Sequence, residues 1–296
     1  MNHTAILRRA WEITRRYRAL WVFGFVLALF SGGGGAGGGQ GAQYAMGGGQ
    51  RIDPALVVVI VGAVLLFVAF LVLLSIGLTY TSRGALIGMV REVEETSETS
   101  VRSGWRIGWS RFLRLFAIDL VIGIPTAIAA IVLILLGLSP LLLLLAEERA
   151  LTALAIVLTV VLMLVVIGVL IIAGIVLSVL GQLAQRQCVL ESKGVWESIQ
   201  DGYRMGRQNL RDVGMIWLLL LAIDIGVGIV LGPIALVVFG AAAVPGIFTY
   251  LATEAAAPTL VVSIPAVLLA VLIMSALAAI HQVFGSAVWT LAYREL

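Results

Sequence analysis

Two aspartates lie within long apolar stretches, and no other residues in the chain are better placed to do chemistry. Asp119 interrupts the run 115–146, and Asp224 interrupts the run 213–253. A carboxylate inside a membrane span costs about 2.5–3.5 kcal/mol at the centre and often marks a proton or ion path. A helix-breaking proline lies within ten residues after each aspartate, namely Pro125 and Pro233. Spans interrupted at matched positions are typical of transporter binding sites. The alternative is structural: each acid bonds to a neighbouring helix or to an arginine at the membrane surface.

The other chemically capable residues give no catalytic pattern. His281 is a candidate polar site near the end of the last apolar run, although a lone histidine there is typical of packing. Cys188 is the only cysteine, which excludes an intrachain disulfide and a cysteine-based metal site. The motifs His-Glu-x-x-His, Gly-x-Ser-x-Gly and Gly-x-Gly-Asp are absent. We therefore expect no enzyme, no cofactor and no metal.

The composition indicates a bilayer as the solvent. Hydrophobic residues make up 61% of the 296 positions and charged residues only 12%, whereas a soluble domain carries about 25% charge. Spans need roughly 20 apolar residues, and the apolar runs do not alternate as barrel strands would. The sequence predicts an all-α, polytopic membrane protein with six transmembrane helices, in the runs 19–30, 55–80, 115–146, 151–183, 213–253 and 259–280.

The positions of the positive charges predict the orientation. Seventeen of the nineteen Lys and Arg residues fall on one side of the six spans, and that side is the cytosol. Both termini are then cytosolic, in a bacterial cytoplasmic membrane. The pI near 9.3 reflects these flanking charges and does not indicate a nucleic-acid partner. A signal peptide over residues 1–35 is the rival interpretation, and the long amphipathic basic segment disfavours it.

A recurring segment divides the chain into three predicted units. SVRSGWRIG (100–108) matches SIQDGYRMG (198–206), Ala-Ile-Asp follows each, and AWEIT (10–14) is a weaker third copy. The units cover approximately 1–84, 85–184 and 185–296. Each is predicted to be a short amphipathic helix on the cytosolic surface followed by a membrane hairpin, which makes the repeats parallel. Gly104 with Gly108, and Gly202 with Gly206, form smooth strips for close helix packing.

A glycine-rich segment, 32–50, is predicted to be extracytoplasmic. It contains eleven glycines but no Gly-Lys-Ser/Thr motif and no preceding strand, so it does not indicate a nucleotide site. A flexible linker is the favoured interpretation. A backbone packed closely against a partner is the alternative.

Three segments together resemble a known group of proteins. These are RRYRALW (15–21), the repeated Gly-aromatic-Arg helix and VWTLAYR (288–294). They resemble bacterial six-span proteins similar to the membrane domain fused to some glycerophosphodiester phosphodiesterases. The resemblance implies a fold and a membrane location. It transfers no catalytic residue, because the phosphodiesterase domain is not part of this sequence.

These observations favour a non-enzymatic accessory or scaffold subunit within a larger membrane complex. Its expected partners are the lipid bilayer and other membrane subunits. The alternative is a small-solute or proton-linked transporter that uses Asp119 and Asp224.

The orientation can be tested by cysteine labelling in sealed, right-side-out cells. Cysteines at Gly38, Glu148 and Glu254 should react with an impermeant reagent, because the charge pattern places these positions outside. Native Cys188 should not react. Labelling of Cys188 would overturn the orientation.

Overall fold

A computed structural model describes residues 3–31, 54–146 and 149–296. Within those ranges the regular elements are all helical: α1 (His3–Arg16), α2 (Ala19–Ser31), α3 (Pro54–Thr96), α4 (Val101–Leu138), α5 (Arg149–Leu190), α6 (Val195–Gln208), α7 (Leu210–Thr253) and α8 (Ala256–Glu295), with a 3₁₀ segment at Ser139–Ala146. The predicted all-α class is confirmed. The glycine-rich segment 32–50 lies outside the described residues.

In the described part of the chain, five helices are long and apolar enough to cross a bilayer, as expected of a multi-pass membrane protein. They are α3, α4, α5, α7 and α8. The longest, α7, has 44 residues, or about 66 Å, against about 30 Å of hydrocarbon. A shorter apolar helix, Ala19–Phe30, occupies the first predicted run. Long uninterrupted helices suit this composition, because a backbone in hydrocarbon must satisfy its hydrogen bonds within the segment.

The three amphipathic segments differ in how they join the apolar helix that follows. Tyr17 and Arg18 separate α1 from α2, and Asn209 separates α6 from α7. Both the backbone and the side-chain amide of Asn209 donate to the carbonyl of Met205, which closes the last turn of α6. No such break in the helix follows Ser110, and α4 continues as one helix to Leu138. A separate short helix was expected there, so this element differs from the prediction.

Contacts divide the chain into two compact units. The first unit comprises Met1–Phe112 and Met215–Glu295, and the second comprises Leu113–Gly214 with Leu296. The helices α4 and α7 each contribute residues to both units. The three repeats predicted from the sequence have different boundaries.

In the first unit, α2 packs against α3 and α8, and α1 packs against α8. The buried face of α1 consists of Ile6, Ala10, Ile13 and Thr14, a spacing of one helical face. Polar contacts join the same elements: Arg9 Nε donates to Glu94 Oε1 at 2.8 Å, and this bond raises the pKa of Arg9.

The first three turns of α4 lie against α3 and α2. A Cβ on Gly104 would meet Met89 Sδ and would lie 2.7 Å from Phe23 Cε2. A Cβ on Gly108 would meet the backbone oxygen of Thr81. The absence of side chains at these two glycines therefore lets α4 approach α3 at backbone distance.

In the second unit, α6 lies against α5 in the same way. A Cβ on Gly202 would lie 3.1 Å from the backbone nitrogen of Ala184, and one on Gly206 would lie 3.2 Å from Leu183 Cδ1. Lys193 in the connecting loop pairs with Asp201 at 2.8 Å and with Glu191 at 2.7 Å. These bonds raise the pKa of Lys193.

Buried residues are concentrated at one end of three long helices. We call these segments the packed ends: 81–96 of α3, 183–190 of α5 and 283–295 of α8. In α3, no residue between 61 and 80 is buried. Cys188 lies in the packed end of α5 and has no exposed surface. It would therefore stay unlabelled in either orientation, and an informative internal probe is Glu98→Cys in a Cys188→Ala background, because Glu98 is exposed.

The glycine contacts predict unequal effects of adding one methyl group to α4. Gly108→Ala should lower the free energy of unfolding by about 1–3 kcal/mol, because the new Cβ meets a backbone oxygen that cannot rotate away. Gly123→Ala on the same helix is the matched control, since no heavy atom lies within 4 Å of its Cβ position. It should be neutral or stabilising by up to about 1 kcal/mol. Thermal unfolding of the detergent-solubilised protein measures both.

Larger side chains at the contact glycines should also destabilise the protein more than changes at exposed positions. Gly104→Leu and Gly202→Leu should destabilise the protein more than Arg106→Ala or Arg204→Ala, because both arginine side chains are exposed. Equal unfolding temperatures for Gly108→Ala and Gly123→Ala would contradict the close approach of α4 to α3.

Candidate functional site

Asp119 lies in the second unit and is bonded to the neighbouring helix. Its Oδ1 accepts a hydrogen bond of 2.8 Å from Nε2 of Gln185 on α5. The adjacent residue, Ile118, packs with Ala184 and Cys188 in a buried cluster. Gln185 is itself buried. An amide donor stabilises a carboxylate but cannot take its proton, so this contact is a fixed hydrogen bond between α4 and α5.

Asp224 lies in the first unit and has a different partner. Its Oδ1 is 2.8 Å from Nε2 of His281, which joins α7 to α8. The side chain of His281 is 28% exposed and that of Asp224 is 53% exposed. In the neutral imidazole this nitrogen can donate to the carboxylate, or it can accept from a protonated carboxyl group. The pair can therefore hold a proton in either of two arrangements, which the Asp119–Gln185 pair cannot do.

Asp224 and His281 each lie the same number of residues from an arginine in the sequence. Asp224 is thirteen residues after Arg211, and His281 is thirteen residues before Arg294. Each distance is about 20 Å of helix. The linker at Glu254–Ala255 lies between the two helices, so α7 and α8 run in opposite directions through the contact.

A groove of about 570 Å³ lies beside this pair in the first unit. It is lined by Trp11 of α1, by α7 at Ile223, Gly226, Val227, Val230 and Leu231, and by α8 at Leu277, Ile280, His281 and Phe284. The rings of Trp11 and Phe284 meet edge to face, with centroids 6.2 Å apart. The groove is thus apolar along its length, with an imidazole on one wall.

The site residues predicted from sequence fall into three groups. Asp224 and His281 are brought together, Asp119 is paired with Gln185, and the four glycines lie at helix contacts. Among residues 3–31, 54–146 and 149–296, no group of three or more His, Cys, Asp or Glu side chains is arranged to hold a metal ion.

Sequence reasoning missed two partners. His281 was treated as isolated because Asp224 is 57 residues away. Gln185 gave no signal in the sequence, because it is one of three glutamines in the stretch GQLAQRQ (181–187).

Comparison with family models gives one match. A model described as a family of unknown function, DUF7544, matches residues 6–291. The chain belongs to the DUF7544 family. No curated protein and no solved structure matches it. The match covers both units and includes Trp11, Asp119, Asp224 and His281. The likeness to the membrane domain fused to phosphodiesterases stays a prediction.

The Asp224–His281 contact in this DUF7544 chain can be observed directly by NMR. The chain contains two histidines, His3 and His281, so ¹⁵N-histidine labelling gives two sets of ring signals. Asp224→Asn should shift the ring signals of His281, because an amide replaces the carboxylate bonded to Nε2. The signals of His3 serve as an internal reference.

Asp119→Asn is the matched control for that measurement. It should leave the ring signals of His281 unchanged, and the fold should survive because asparagine keeps an acceptor for Gln185. Unchanged His281 signals in folded Asp224→Asn protein would show that the contact does not form.

Proposed function

We propose that the protein is a non-enzymatic accessory or scaffold subunit of a bacterial cytoplasmic membrane, where its helices pack against other membrane proteins. One observation carries this proposal: the apolar helices are packed at one end and open along the rest. No residue is buried between 61 and 80 in α3 or between 221 and 241 in α7. Spans that bury little within their own chain leave long surfaces for lipid or for helices of other subunits.

The proposed topology has six spans with both termini in the cytosol. The short helix α2 supplies the first span. It contains 13 residues, or about 20 Å, and therefore needs neighbours or a locally thin bilayer to cross. Its contacts with α3 and α8 support this role. At Gly24 a Cβ would lie 2.7 Å from the carbonyl oxygen of Ala279, so α2 is held tightly against α8.

The proposed threefold repeat is supported by a shared packing arrangement. Each amphipathic segment lies against the second helix of a hairpin: α4 on α3, α6 on α5 and α1 on α8. The equivalent contact positions hold small residues, namely Ala10, Gly104 and Gly202, and all three are buried. The residue after each is aromatic and exposed, namely Trp11, Trp105 and Tyr203. A small residue beside an exposed ring suits a helix that packs on protein and faces the membrane surface.

A proton-linked transporter is the second candidate, and the Asp224–His281 pair favours it. An acid and an imidazole at 2.8 Å can exchange a proton. Asp119 contributes less to this alternative, since the amide of Gln185 cannot accept its proton. A transporter in addition requires a hydrated path, whereas the groove beside His281 is lined by apolar side chains.

Photo-crosslinking in native membranes tests the scaffold proposal. A photoreactive phenylalanine analogue at Leu66 or Leu236, which are 75% and 76% exposed, should form adducts of defined mass with another protein. The reason is that a scaffold covers its open apolar surfaces with partner helices. The matched control is Leu86 in the packed end of α3, which is 1% exposed and should give no intermolecular adduct.

Two results together would favour the transporter over the scaffold. The first is crosslinking of Leu66 and Leu236 to lipid alone. The second is proton uptake in proteoliposomes that disappears in folded Asp224→Asn protein.

A further inference from the structure

We propose that the groove between α7, α8 and α1 binds an anionic phospholipid, with an acyl chain along α7 and α8 and the phosphate against arginines of α1. The phospholipid comes from the leaflet in which α1 lies. The inference uses the surface position of α1 proposed above. Whether the lipid binds is independent of whether the protein is a scaffold or a transporter.

The shape of the groove suits a hydrocarbon chain. Its lining residues on α8, Leu277, Ile280/His281 and Phe284, recur at one-turn intervals, as do those on α7. The groove therefore runs parallel to the helix axes, which is also the direction of lipid chains. At Gly226 no heavy atom lies within 4 Å of the Cβ position, so α7 leaves the middle of the groove unobstructed. A volume of about 570 Å³ is within the range of about 300–1,000 Å³ for small-ligand sites.

The length of the groove suits part of an acyl chain. From Ile223 to Leu231 the groove extends over eight residues, or about 12 Å. A partner helix lying over α7 and α8 would cover the same surface, so the charges beside the groove decide between the two occupants.

The charges at the mouth of the groove suit a phosphate. Trp11 closes this end against Phe284. Arg8 and Arg15 lie three residues before and four residues after Trp11, on the same face of α1, and both are exposed. In the described part of the chain neither forms an ion pair with a carboxylate, whereas Arg9 is bound to Glu94 and Glu12. Two guanidinium groups without a carboxylate partner among the described residues, beside an exposed ring, provide donors for a phosphate.

Native mass spectrometry of the purified full-length protein tests the site, with phosphatidylglycerol and phosphatidylcholine of identical chains as probes. The wild type should bind one phosphatidylglycerol more tightly than phosphatidylcholine. Gly226→Trp should lower the affinity for phosphatidylglycerol at least tenfold, because the indole fills the groove. Gly228→Trp is the matched control: it lies two residues further on, on the opposite face of α7, also with no heavy atom within 4 Å of its Cβ position. It should bind as the wild type does.

A double variant of α1 tests the headgroup contact without changing the helix packing around the groove. Arg8→Ala with Arg15→Ala should weaken phosphatidylglycerol binding roughly 10- to 30-fold, since each surface arginine contributes about 1 kcal/mol toward an anionic lipid. Phosphatidylcholine binding should weaken less, because its choline cation already offsets the charge of the phosphate that the two lipids share. This double variant keeps the test valid if Gly226→Trp fails to fold, because both arginines are exposed.

Three results would overturn the proposal. One is equal loss of phosphatidylglycerol in Gly226→Trp and Gly228→Trp. Another is equal affinity of the wild type for the two lipids. The last is a co-purifying protein that Gly226→Trp removes while phosphatidylglycerol binding is unaffected, which would assign the groove to a partner helix.

Discussion

The close approach of the amphipathic segments to the ends of long helices is the contact on which the rest of the structure depends. At Gly108 it is limited by the carbonyl oxygen of Thr81, and at Gly202 by the backbone of Ala184. Contacts as close as these gain dispersion energy between well-fitted surfaces. A single methyl group at Gly108 would prevent the fit, and for this reason small residues occupy these positions.

The same arrangement accounts for the uneven burial of the long helices. Their packed ends are covered by the amphipathic segments, whereas most of the remaining apolar surface is exposed within the described residues. The two aspartates within the long apolar helices differ correspondingly. Asp119 lies close to the packed end of α5 and bonds to the amide of Gln185, which fixes one helix against another. Asp224 lies further along its helix and bonds to an imidazole, which makes it the more chemically capable of the two.

The sequence was sufficient for the features that depend on local pattern, and insufficient for those that depend on contacts between helices. Apolar runs predicted helices, because their length and lack of alternation leave no other way to satisfy a backbone in hydrocarbon. Spaced glycines predicted smooth strips on α4 and α6. The continuity of α4 past Ser110 was not predicted, since it follows from the absence of a residue such as Asn209 to end the helix. The bond from Gln185 to Asp119 could not be read from spacing, because it depends on the rotation of α5 about its own axis.

The most direct measurement is an NMR contact between α4 and α3 in the detergent-solubilised protein. A Cβ built on Gly108 would lie 3.0 Å from the γ-methyl carbon of Thr81, so the α-protons of Gly108 must lie close to that methyl group. The account predicts a nuclear Overhauser effect between the Gly108 α-protons and the Thr81 methyl protons. Its absence from a spectrum that resolves both signals would contradict the close approach.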